Sequence, residues 1–65
     1  MTFKEQILAF RAKHGLSQTQ MSEFLGVSRN MCNRYERELS KPTARNRLIF
    51  EQKMEEANEN ENVQM

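Results

Sequence analysis

The chain has no aspartate, one cysteine, one proline and two glycines among its 65 residues. Without Asp, acid–base or nucleophilic chemistry would fall to Glu, Ser and the single His14. These form no nucleophile–base arrangement at a recognisable spacing, so no enzymatic activity is expected. One thiol excludes an internal disulfide, and the lack of a cysteine framework fits a reducing compartment. A zinc site needs about four ligands, and one Cys with one His falls short, so no metal or other cofactor is expected. No apolar run approaches the roughly 20 residues that cross a bilayer, and none resembles a signal peptide. No strand alternation, internal repeat or inter-domain linker appears. These absences leave one small cytoplasmic domain with a modest core and no membrane partner.

What is present is unevenly charged. Residues 1–54 hold all ten Lys and Arg against five Glu, a net of +5. Residues 55–65 hold four Glu and no base, a net of −4. The expected organisation is therefore a folded domain over 1–54 and an acidic tail over 55–65, frayed helix passing into disorder. A basic body suits a polyanion partner such as nucleic acid. The plain reading of the tail is a solvated segment; the sharper one is a shield over the basic face until a polyanion binds.

The apolar spacing predicts helices throughout. Thr2 and Glu5 form a capping box before Phe3, Ile7 and Phe10, so the first helix runs from about Phe3 to Lys13. His14, at its end, complements the helix dipole. Gly15 takes the left-handed stop, and Leu16 packs back on the core. Ser17 and Gln20 form a second capping box, and Met21, Phe24 and Leu25 stripe a short helix over about Gln18–Leu25. Gly26 stops it, and Ser28 caps a third helix over about Arg29–Glu38. Two helices joined through a short turn containing Gly are the helix-turn-helix signature. On the third helix Cys32, Tyr35 and Met31 form the apolar strip. Arg29, Asn30, Asn33, Arg34 and Arg37 share the other side, because 29/33, 33/37 and 30/34 are each four apart. Pro42 or Thr43 opens a fourth helix carrying Ala44, Leu48, Ile49, Phe50 and Met54.

These residues resemble a known family. Arg11, Gly15-Leu16-Ser17-Gln18, Met21, Leu25-Gly26-Val27-Ser28 and Arg34-Tyr35-Glu36 stand at the spacing of the phage-repressor-like helix-turn-helix domain, the Cro/CI/Xre type. The match spans about Ile7 to Leu48. The resemblance implies an all-α, lambda-repressor-like bundle of four or five helices, with the third helix in the DNA major groove. It implies a repressor that binds a near-palindromic operator as a homodimer. By position, Gln18 resembles the residue that grips a phosphate at the head of the second helix. Ser28, Arg29, Asn30, Asn33 and Arg34 resemble the base-reading positions. Arg11 and Glu36 resemble an ion pair tying the first helix to the third. The chain departs from the pattern at Cys32, where Ile or Val is usual, at Glu38, where Gly is usual, and at Arg47, where an apolar residue is common. A fifth helix is expected to be short or absent. A DNA-binding antitoxin or controller is the alternative within the class, and an anti-repressor acting on a protein partner is the alternative outside it.

The residue types suit that task. Phosphate contacts set register on DNA and base-edge contacts supply sequence information. Helix N-termini suit phosphates, which nominates Ser17, Gln18 and Ser28, with Lys41 and Thr43 in the following loop. Arg can pair with guanine O6 and N7, and Asn with adenine N6 and N7. Asn30 and Arg34 are the foremost candidates, followed by Arg29; Asn33 reads bases or supports those that do. The competing readings are structural. Arg37 is a solvated charge, Arg34 pairs with Glu38 or Glu23, and Cys32 is a small buried hydrophobe. Leu48, Ile49 and Phe50 span about 200° of a helix and cannot all face one small core. Phe50 and Met54, one turn apart, are expected to form a dimer seam; the plainer alternative is a wider core covered by the first helix through Phe3.

Overall fold

In the computed structural model, which describes residues 2–63 and side chains 2–60, Thr2 caps the first helix. Its hydroxyl accepts from the Glu5 N–H (3.2 Å), and its own N–H donates to the Glu5 carboxylate (2.9 Å). That backbone hydrogen bond is the main reason the Glu5 carboxyl titrates below its ordinary value. Helix α1 runs Phe3–His14 and α2 runs Gln18–Leu25 behind the Ser17–Gln20 capping box. Helix α3 runs Arg29–Glu36, with the Ser28 hydroxyl accepting from the Met31 N–H. Helix α4 runs Ala44–Val63, and Thr43 caps it by accepting from the Asn46 N–H. Four helices and no strand make up the described residues, an all-α fold.

Helices α1, α2 and α3 leave by the same turn. In each, the residue after the left-handed turn position donates its N–H back to a carbonyl five residues earlier: Leu16 to Arg11, Val27 to Ser22, Leu39 to Arg34. That turn needs a left-handed residue, usually glycine. Gly15 (φ 65°) and Gly26 (φ 77°) supply it for α1 and α2. At α3 the position falls to Glu38, with φ 59°. Arg37 intervenes as the cap (φ −98°, ψ 4°), so α3 ends at Glu36, two residues before the expected Glu38.

The core draws on all four helices. Phe3, Ile7 and Phe10 of α1 meet Met21 and Leu25 of α2, Cys32 and Tyr35 of α3, and Phe50 and Met54 of α4. Phe3 sits edge-on to Tyr35 (centroids 5.5 Å apart) and stacks on Phe50 (5.9 Å). Phe10 stacks on Phe24 at 5.0 Å. Lys53 ties α4 to the end of α2 by donating to the Phe24 carbonyl at 2.7 Å.

Two expectations for α4 are corrected. Phe50 and Met54 are buried within the single chain, so they do not form a seam on its surface. Phe3 and Tyr35 rotate α4 so that its 50–54–57 stripe faces inward. Leu48 and Ile49 are left outside, 56% and 43% exposed. The expected tail is helical through Val63: Ala57 packs against the core, and Asn58 Oδ1 lies 2.8 Å from His14 Nε2. His14 also rests its ring on Phe10, so it is part of the α1–α4 packing as well as the end of α1. Residues 64–65 of the expected tail lie outside the described residues. Arg47, where an apolar residue is common, pairs with Glu51 one turn on (3.1 Å).

Candidate nucleic-acid interface

Helices α2 and α3 are held together from behind by one carboxylate. Arg11 Nη1 donates to both oxygens of Glu36, at 2.7 and 2.9 Å, and Arg11 Nε donates to the Leu16 carbonyl at 3.2 Å. The Gln18 amide donates to Glu36 Oε1 at 3.2 Å, and the Cys32 thiol lies 3.7 Å from Oε2. One carboxylate thus joins α1, the head of α2 and α3. Its side chain is only 9% exposed, so the arginine charge and these donors replace lost water. The Arg11–Glu36 pair is the one the family resemblance implies. The Gln18 and Cys32 contacts were not legible in the sequence, because they depend on how α2 packs on α3. Burial, and then the Glu36 charge, pushes the Cys32 thiol up to about 11 and keeps it protonated as a donor. Cys32 is therefore buried, as expected, but it is also polar in its contacts.

In front of this network lies a shallow depression lined by Gln18, Arg29, Asn30 and Asn33. Gln18 comes from the head of α2 and the other three from the side of α3 opposite Cys32 and Tyr35. The fold brings these four sequence-selected residues together. Arg29 and Asn30 are exposed, and Asn33 is half-buried. Ser28 is exposed at the head of α3; its oxygen accepts from Met31, and its O–H remains able to donate outward.

Other candidates carry structural duties. Arg34 is exposed, but its Nε donates to the Ser40 hydroxyl (2.8 Å) and its Nη2 to the Leu39 carbonyl (3.3 Å). It closes the loop after α3, and these contacts replace the alternative pairing with Glu38 or Glu23. Ser17 and Thr43 cap α2 and α4. Lys41 lines a separate cleft between the start of α1 and the α3–α4 loop, together with Lys4 and Tyr35.

A family model described as Helix-turn-helix matches residues 7–46, more than half of the chain. The chain belongs to this helix-turn-helix family, of the Cro/CI/Xre type. No curated protein and no solved structure matches it. The matched residues run from within α1 to the first turn of α4 and contain the whole Glu36 network and the depression in front of it. The family is one of DNA-binding transcription regulators and is not typically enzymatic. No helix among the described residues is long and apolar enough to cross a membrane.

Proposed function

We propose that this helix-turn-helix protein is a transcriptional repressor. It binds a near-palindromic operator as a homodimer, with α3 in the major groove. The reading rests on the depression that joins Gln18 to Arg29, Asn30 and Asn33. A helix head that can hold a phosphate lies beside side chains that can read base edges, and that combination sets position and sequence together. Arg29 pairs with guanine and Asn30 with adenine, each through two hydrogen bonds. Ser28 and Asn33 add single contacts, and Arg34 reaches the bases with the N–H groups its loop contacts leave over. Ser17, Gln18, Lys41 and Thr43 meet phosphates. Glu36 fixes one N–H of the Gln18 amide, which leaves the other to point at the backbone.

Repression is steric: a dimer across a promoter excludes polymerase. Selection from random duplexes followed by sequencing tests the reading. The expected result is an enriched motif of two inverted half-sites with centres about 10 base pairs apart. Binding that is steeply salt-dependent but enriches no motif would overturn base reading and leave only phosphate binding.

A further inference from the structure

Helix α4 leaves an apolar pair uncovered. Leu48 and Ile49 are 56% and 43% exposed, adjacent, and on the side of α4 away from Phe50 and Met54. The rest of that outward side is graded in charge. Arg45 stands one turn before the pair; Gln52, Glu56 and Glu59 follow at helical spacing, all exposed, while Lys53, at the margin of this side beside Ile49, reaches the Phe24 carbonyl of α2.

We infer that this outward side of α4 is the seam with a second copy of the chain, the two α4 helices crossing antiparallel about Leu48 and Ile49. The inference rests on the dimeric reading above and gives it a surface. The occupant follows from charge. An apolar centre with a base on one flank and acids on the other is complementary to itself after a two-fold rotation. Residues then meet in the sum of 48 and 49, so Arg45 lies beside Gln52 of the second copy and one turn short of its Glu56. A long arginine spans that gap. A parallel arrangement would instead set Arg45 against Arg45 and Glu56 against Glu56. Such a patch is far smaller than the about 800 Å² per partner of a standard interface. The pair is therefore weak in free solution and acts when one duplex holds two copies side by side, where their effective concentration is high.

Two experiments on the full chain separate this seam from the DNA reading. The first uses no DNA. Ile49→Cys and Leu8→Cys, two exposed apolar positions on different helices, are oxidised in parallel; the wild type, whose one thiol is buried, is the blank. The seam predicts a covalent dimer forming about tenfold faster for Ile49→Cys than for Leu8→Cys. Adding Arg45→Glu should remove that excess, and adding Glu56→Arg as well should restore it. Equal rates for the two cysteines would overturn the seam, whatever the protein does with DNA. The second compares duplexes with one and two half-sites. Leu48→Glu with Ile49→Glu should abolish cooperativity on two half-sites and leave single half-site affinity unchanged. Retained cooperativity would also overturn the seam. Rapid Ile49→Cys crosslinking without any DNA binding would uphold the seam and overturn the repressor. Helicity and melting temperature verify that each variant is folded.

Discussion

Along one edge of α3, Cys32 and Glu36 turn inward and share hydrogen bonds with Arg11 and Gln18. Along the other, Arg29 and Asn30 stand exposed beside Gln18 in an open depression. The two edges hold similar polar residues on eight residues of helix, yet burial separates their tasks. A buried carboxylate must find partners inside the protein, so the inner edge is committed to joining helices. An exposed Asn or Arg is satisfied by water and can exchange it for a base. Gln18 touches both edges. Changes on the inner edge should therefore weaken folding and binding to every sequence, whereas changes on the outer edge should alter only which sequence is bound.

The largest expected effect is on the inner edge. Glu36→Ala leaves Arg11 and the Gln18 amide without their shared acceptor and should cost about 2–3 kcal/mol of stability, measured by urea unfolding. A loss below 0.5 kcal/mol, the usual bound for a surface change, would erase the distinction between the edges. On the outer edge, Asn30→Ala and Arg29→Ala should each remove about 1–3 kcal/mol of discrimination between preferred and random duplex. Their melting temperatures should stay at the wild-type value. A shared fall in stability would show that the outer edge is structural too.

Alkaline titration examines the inner edge by itself. The folded thiol of Cys32 titrates near 11, above its ordinary 9.0. Above 9.0 the unfolded chain releases this proton first, so the native state holds more protons there and stability falls as pH rises. The contribution is intact below 9.0 and is lost between 9.0 and about 11. Relative to Cys32→Val, the wild type should lose on the order of 1–2 kcal/mol across that window. Parallel curves for the two proteins would show that the thiol ionises without penalty. The smallest effect belongs to the end of α3. Glu38→Gly relieves a left-handed glutamate and adds chain entropy when unfolded, so a net gain of about 0.5–1 kcal/mol is expected in thermal melts. Gly26→Ala, at the equivalent position after α2, should lose a similar amount; a gain there would mean that the two exits differ in more than residue type.

Much of the frame was legible along the chain. Thr2, Ser17 and Ser28 each cap a helix, and Gly15 and Gly26 each stop one, because caps and stops are contacts between residues a few positions apart. The helical period separated Cys32 and Tyr35 from Arg29, Asn30 and Asn33 correctly. Glu38 was harder: as a non-glycine it gives no stop signal, and its left-handed turn comes from the Leu39–Arg34 and Glu38–Tyr35 backbone hydrogen bonds. Arg34 was placed on the right face, but its hold on Ser40 depends on how the next loop returns.

Helix α4 marks the boundary between the two kinds of information. Leu48, Ile49 and Phe50 are three consecutive apolar residues, and nothing local says which one faces inward. Phe3, at the far end of the chain, and Tyr35 of α3 make that choice by packing on Phe50. The same packing carries α4 on past Met54 to Ala57 and Asn58, where composition alone reads as frayed helix passing into disorder. Helix starts, stops and polar faces follow from neighbouring residues, since capping and periodicity act within a turn or two. The rotation and length of α4, the loop duty of Arg34 and the convergence of Gln18 and Cys32 on Glu36 come from contacts between distant segments. Those contacts exist only once the four helices share one core.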